Sequence, residues 1–335
     1  MNIRNILAGT VMGALAVGAA SAQEVTLRLS HWVPPTHPIQ TMGIDPWVQS
    51  LEEASDGRIE VTIFPAQQLG AAPDHYDMAR DGIVDISYTN PGYQAGRFPI
   101  YSLIEIPFFA NNALGGAQAL HEWYGPIAET EMADVKFCLA NPHDPGTFHS
   151  KNQIKVPGDI EGLNVRPAHA TMSRFVSSLG GGPVQVPAPE AREAIANGTA
   201  DAITFPWNSV YIFGIDSETK YHLDMPFYIS AQLLLINKDS YSAMPEDLRA
   251  ILDDHCTPEW SKRFSQGWAE NEAGGRQKMI DSGEHTLYAP TPEEVQAWRD
   301  AAAPLIETWM QEVGDGAQGY YDGYVEALER HDSRF

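Results

Sequence analysis

The chain predicts an α/β protein of two similar lobes that meet as a clamshell. Three observations predict it. Strand and helix patterns alternate at short spacing near the N-terminus, the alternation restarts after residue 162, and a long helical region follows both sets. Such alternation argues βαβ units around largely parallel sheets.

The first set opens with the strand pattern Val25–Ser30, apolar at every second position, and breaks at Trp32-Val33-Pro34-Pro35. A helix follows with Trp47, Val48 and Leu51 on one face and ends near Ser55-Asp56-Gly57. Ile59–Phe64 alternates as a second strand, His75–Arg80 reads as a short helix stopped by Gly82, and Val84–Tyr88 is a third strand. The second set runs strand Leu163–Arg166, helix Thr171–Leu179, strand Pro183–Val186, helix Glu190–Asn197 closed by Gly198, and strand Ala202–Phe205. Phe227–Ile236 is a long apolar strand suited to cross between lobes. Pro245–Ile280 reads as a helical region broken near Gly267 and Gly274-Gly275, and Pro292–Val313 as a terminal helix. The expected division is 23–146 with about 234–270 in one lobe and 147–233 with about 271–325 in the other, leaving 326–335 as a tail.

The N-terminus sets the compartment. Arg4, the apolar Gly/Ala-rich run from Ile6 to Ala19, and small residues up to Ala22 form a secretory signal peptide, 1–22, cut after Ala22. The run is short for a membrane span and no cysteine follows it, so an exported protein without stable membrane insertion is expected, in the periplasm. Acidic side chains number 44 against 21 basic, and removing Arg4 leaves 20 against 44, a net of −24. Such a surface repels nucleic acid and anionic headgroups, so an anionic ligand requires a local positive site. Cys138 and Cys256 are the two cysteines, and both a disulfide and a pair of buried free thiols stay open.

In open parallel sheets ligands bind beyond the carboxyl ends of the strands. The residues there are His31-Trp32, Phe64-Pro65, Tyr88-Thr89-Asn90, Arg166-Pro167 and Phe205-Pro206-Trp207-Asn208. Arg166 offers a planar fork of donors that matches a carboxylate. Phe205 and Trp207 share one side of their strand if alternation continues, and sandwich a ligand body between them. Asn208 offers a polar contact or a helix cap. Tyr88, Asn90 and Tyr93 flank Pro91-Gly92 in a loop over the cleft, and Trp32 lines it. His31 and His169 can donate to a carboxylate, although a lone histidine more often serves structure. Asp74 facing the cleft instead suits an amine or quaternary ammonium ligand, with Trp32, Tyr88 and Trp207 as a partial aromatic cage.

Several segments together resemble the periplasmic solute-binding proteins of TRAP (tripartite ATP-independent periplasmic) transporters. They are Leu27-Arg28-Leu29-Ser30-His31, Phe64-Pro65-Ala66-Gln67-Gln68-Leu69-Gly70, Arg80-Asp81-Gly82-Ile83-Val84-Asp85-Ile86, Ser150-Lys151, the run from Pro157 to Arg166, and the run from Ala194 to Ala202. The resemblance implies a periplasmic binding protein clamshell with a long helical region spanning both lobes. It also implies a receptor that hands a small organic acid to TRAP membrane permease subunits and has no catalytic role of its own. Arg166 falls on the arginine that in this family pairs with the ligand carboxylate, Asn90 on a polar ligand contact, and Asp74 on a first-lobe loop. The chain departs from the pattern in three places. A second arginine is missing from Pro145-Gly146-Thr147-Phe148-His149-Ser150, Phe205 stands where an asparagine is frequent, and an aromatic is replaced near Ala188. These departures imply a monocarboxylate with an apolar or aromatic body.

The rival classes leave weaker traces. An exported hydrolase would need a Gly-x-Ser-x-Gly elbow or a His-Glu-x-x-His helix, and the chain has neither. His143, Asp144 and His149 are near one another in sequence without a metal-ligand spacing, so neither a metal nor a cofactor is expected.

Overall fold

The structure, a computed structural model, describes residues 23–335. The signal-peptide segment 1–22 lies outside the described residues. In chain order the first strands are β1 (Val25–Ser30), β2 (Ile59–Phe64), β3 (Ile86–Thr89) and β4 (Val135–Pro142). They are followed by β5 (Thr147–Ser150), β6 (Asn164–Arg166), β7 (Gly182–Pro183), β8 (Ala202–Phe205), β9 (Tyr221–Leu223), β10 (Ala231–Asn237) and β11 (Thr286–Tyr288).

Two sheets result, one per lobe: a five-stranded sheet in the order β2-β1-β3-β10-β4 and a six-stranded sheet in the order β11-β9-β5-β8-β6-β7. β1 pairs parallel with β2 and β3, while β10 runs antiparallel to β3 and β4. In the second sheet β5 is antiparallel to β8 and β9, and the remaining pairs are parallel. Each sheet therefore contains one reversed strand, and it is the strand arriving from the other lobe. Leu29, Ile86 and Ile236 lie opposite one another across β1, β3 and β10 and are all fully buried.

The crossings lie side by side. His143 N–H donates to the Ser230 carbonyl (3.2 Å), Gly146 N–H to that of Tyr228 (2.9 Å), and Phe227 N–H to that of Gly146 (3.1 Å). The expected long strand Phe227–Ile236 is thus a hinge segment followed by β10. A Cβ at Gly146 would stand 2.6 Å from the Phe205 carbonyl oxygen, so glycine is what lets the ribbon pass so close to the end of β8.

The helical region breaks at Gly274 as expected, but its other break falls elsewhere than Gly267. The chain forms Glu246–Asp254, Pro258–Ala273 and Gly275–Ser282. The first break falls at His255–Thr257, because Thr257 caps the next helix through Trp260 N–H and Pro258 opens it. The helix runs unbroken through Gly267, which lies against Met42. Pro292–Ala302 and Pro304–Val313 replace the single terminal helix, since Pro304 removes a backbone donor. Ala317–Arg330 forms a further helix that includes part of the segment read as a tail, and Arg334 bridges to Ala110. The 19-residue helix Ala113–Glu131 has no counterpart in the sequence reading.

The Pro258–Ala273 helix packs along the first lobe, reaches the second at its C-terminal end, and is tied to each. Cys138 on β4 and Cys256, just before the helix, form a disulfide across a sequence separation of 118. At the other end Glu272 is buried and accepts from Trp268 Nε1 (2.9 Å) and from Ser209 N–H (3.0 Å) at the start of the Ser209–Ile212 turn. Gly275 packs directly on the Trp207–Asn208 backbone.

A disulfide closing so long a loop constrains the unfolded chain. Cys138→Ser with Cys256→Ser is expected to lower unfolding stability by about 2–5 kcal/mol. Denaturant titration checks this, and a reducing agent should produce the same loss in the wild-type chain and none in the double variant.

Candidate functional site

Between the lobes, against the hinge ribbon, lies a cavity with about 380 Å³ of unfilled space, part of it open to solvent. The first lobe contributes Trp32, His37, Asn90 and Tyr93; the second contributes Arg166, Phe205 and Phe213; the hinge contributes His143, Tyr228, Ser230 and Gln232; and Trp268 comes from the back helix. These positions sit beyond the carboxyl ends of β1, β3, β6 and β8, as open parallel sheets require.

Arg166, the last residue of β6, is 1% exposed. Its Nε donates to the Val186 carbonyl (2.9 Å), and its guanidinium carbon lies 5.6 Å from the centre of the Phe205 ring. Its Nη2 is buried without a hydrogen-bond partner. No acidic side chain lines the cavity among the described residues. An unpaired buried cation is expensive, and the expense falls on the empty closed form.

The remaining polar groups share one character. Trp32 Nε1 and the Tyr228 hydroxyl are buried without partners. Burial pushes the Tyr228 hydroxyl far above its ordinary range, so it stays a donor. The acceptors, by contrast, are occupied. Asn90 Oδ1 accepts from Gly92 N–H (3.0 Å), and Gln232 Oε1 accepts from the Tyr88 hydroxyl (3.3 Å). His143 Nε2 accepts from Ser230 N–H (2.8 Å), and His37 Nδ1 from Ile39 N–H (3.1 Å). Burial lowers His37 to about 3 and His143 to about 4, so both are neutral at pH 7. The cavity is a set of free donors around one cation, inside aromatic walls.

Of the residues singled out in the sequence, Arg166, Phe205, Trp32, Asn90 and Tyr93 meet at this cavity. His143, weighed only as a metal ligand, lines it too, and the others do not. Tyr88 stands behind the wall and holds Gln232, while accepting from Asn141 Nδ2 (2.8 Å). His31 is buried against Gln40 (3.0 Å), with burial lowering its pKa to about 4. His169 caps the Ala170–Ser178 helix: its Nδ1 accepts from Met172 N–H (3.1 Å) and its Nε2 donates to the Ile229 carbonyl (3.2 Å). Burial and the neighbouring His143 and Arg166 lower it to about 3. Trp207 packs edge-on against His149, ring centres 5.2 Å apart. β8 ends at Phe205 and Pro206 starts a turn, so strand alternation stops before Trp207 and the expected aromatic pair does not form. Asn208 binds Asn271 and Glu272 on the back helix. Asp74 is exposed ahead of the His75–Arg80 helix. His143 and His149 serve separate backbone partners, the Asp144 and Phe205 carbonyls.

Tyr228, Ser230 and Gln232 were passed over in the sequence, although their spacing of two marks one face of an extended segment. His37, Phe213 and Trp268 carried no such signal, because they reach the cavity from distant elements.

A cavity of donors between two α/β lobes joined by a paired hinge defines a clamshell solute receptor. The chain belongs to the bacterial extracellular solute-binding protein family 7, whose model matches residues 29–312. It is similar to a TRAP solute-binding protein from Rhodoferax ferrireducens T118 solved with copurified benzoate: 31% identity over 92% of this chain and 98% of that one, TM-score 0.86. A marine-metagenome TRAP solute-binding protein specific for aromatic acids, solved with 3-hydroxybenzoate, shares 27% identity over 93% of this chain and all of that one, also at TM-score 0.86. Among curated proteins, the transporter protein TsaT of Comamonas testosteroni is 22% identical over 93% of both chains. The chain is thus a TRAP solute receptor, in a family of extracellular binding proteins rather than hydrolases. No helix among the described residues is long and apolar enough to cross a membrane.

Buried neutral histidines set the acid response. His37, His143, His149, His169 and His222 all have lowered pKa values, at about 3, 4, 4, 3 and 2. A depressed folded-state value gives stability that is whole above the unfolded value near 6.5 and lost as pH falls toward the folded one. The melting temperature is expected to fall steadily from pH 6.5 to pH 4, before most exposed carboxylates titrate. Thermal unfolding across that range checks it, and His222→Asn should flatten the slope.

Proposed function

We propose that this chain is the periplasmic receptor for a small aryl or otherwise apolar monocarboxylate. It is made with a signal peptide over residues 1–22 and delivers its ligand to the membrane permease subunits of a TRAP transporter. The observation that carries the reading is Arg166, a buried cation on the wall of an aromatic cavity with a free Nη2 and no acidic partner there. A ligand carboxylate supplies the missing charge and accepts in the guanidinium plane. The free Tyr228 and Trp32 donors can serve further ligand oxygens.

One cation lines the cavity, so one carboxylate is balanced and a second would be left without a counter-charge. The Thr147–Ser150 strand supplies no second arginine. Trp32, Phe205, Phe213 and Trp268 offer flat apolar surface to a ring. The relatives at 31% and 27% identity hold benzoate and 3-hydroxybenzoate, which supports this class. The amine or quaternary ammonium reading lacks its counter-ion, since Asp74 lies outside the cavity lining. Ligand binding favours the closed over the open population, and the closed surface is what the permease recognises.

Arg166→Ala is expected to weaken benzoate binding by about 2–5 kcal/mol, roughly 30-fold to several-thousand-fold. Asp74→Asn should leave it unchanged. Titration calorimetry with benzoate checks both, and an Arg166→Ala variant that binds benzoate as the wild type does would overturn the assignment.

A further inference from the structure

A second chamber, partly open to solvent and with about 440 Å³ of unfilled space, adjoins the ligand cavity. It is bounded by Pro73 and Gly92 from the first lobe and by Pro167, His169, Ser173 and Pro187 from the second. Two residues line both chambers: Tyr93 and Ala168. Ala168 is small, so Tyr93 is the one large side chain in the partition.

Tyr93 is held from both sides. Its ring rests against Trp32, centres 5.9 Å apart, within the first lobe. Its hydroxyl accepts from Ala188 N–H of the second lobe at 3.1 Å. The Pro91–Tyr93 turn that presents it is fixed by Asn90, whose side chain accepts from Gly92 N–H. The second chamber has no arginine, lysine, aspartate or glutamate in its wall. His169 there is neutral, and Gln185 Nε2 is spent on Ser173 Oγ at 2.8 Å. Proline faces and uncharged polar groups suit the neutral part of an acid, with the carboxylate left to Arg166.

We propose that Tyr93 sets the upper size of the acid this receptor takes, and that the second chamber is a latent subsite for the body of a larger aryl carboxylate. The proposal rests on reading the main cavity as an aryl-carboxylate site. Two functions of Tyr93 separate by chemistry. The ring partitions the chambers; the hydroxyl latches one lobe to the other. Removing the hydroxyl alone loosens closure without changing which acids fit. Removing the ring joins the chambers.

The test measures benzoate and 2-naphthoate affinities, with benzoate dissociation rates, for the wild type, Tyr93→Phe and Tyr93→Ala. The wild type should favour benzoate. Tyr93→Phe should keep that preference while releasing benzoate faster, because an interlobe hydrogen bond is gone. Tyr93→Ala should shift the preference toward 2-naphthoate by at least about tenfold, the scale on which pocket volume discriminates. Tyr93→Leu, which keeps apolar contact with Trp32, should show the same direction of shift and covers the case of a misfolded alanine variant. An unchanged preference in both truncations overturns the proposal, as does an equal shift in Tyr93→Phe. Arg166-dependent benzoate binding with no Tyr93 effect would sink the size limit alone. Failure of the wild type to bind either acid would sink the aryl-carboxylate reading and the size limit with it.

Discussion

The structure turns on the cost of burying one positive charge. Arg166 sits at the end of a strand in the second sheet, almost without solvent, and its only geometric tie is a backbone carbonyl. Everything around it is consistent with a partner that comes from outside the chain. The histidines at the cavity are neutral, so they neither compete for an anion nor add a second charge to balance. The carbonyl oxygens of Asn90 and Gln232 are turned to internal donors, leaving donors toward the chamber. An acidic exterior and a single interior cation give selectivity two levels: the surface attracts no anion indiscriminately, and the cavity takes one that fits.

Much of this was legible in the sequence because it is local. β1, β2, the His75–Arg80 helix and β8 appear where their period and punctuation put them. Arg166 and Phe205 fall at strand ends, where the fold class alone directs attention. Errors came where a local rule was carried one residue too far: Trp207 follows Pro206, and two-residue alternation has no force beyond the end of a strand. For His169 and Asn208, open between ligand contact and structural role, the structure gives a helix cap and a tie to the back helix. The Ala113–Glu131 helix contains Pro126 and several glycines, which blur a helical pattern that packing overrides. Longer-range facts were out of reach altogether. No sequence rule pairs Cys138 with Cys256 across their separation, nor brings Trp268 to the same cavity as Trp32.

The hinge shows how topology places chemistry. Because each sheet receives one reversed strand from the other lobe, the two crossings lie antiparallel and hydrogen-bond to each other. That ribbon is also a cavity wall, through Tyr228, Ser230 and Gln232. The residues that join the lobes therefore touch whatever lies between them. Ligand contact and lobe orientation are coupled by the same few backbone bonds, with no relay of distant side chains required.

The two ends of the back helix are fastened in different ways. At its start a covalent staple fixes it to β4; at its far end a buried carboxylate, Glu272, grips backbone N–H groups of the second lobe. The helix is thus a cantilever, rigid at its root and held at its tip by bonds that can exchange with water. Glu272 also accepts from Trp268 Nε1, and Trp268 and Ser209 both stand in the cavity wall, so the tie at the tip is shared with the wall that meets the ligand. A change in that tie is therefore felt at the recognition site as well as at the joint between the lobes.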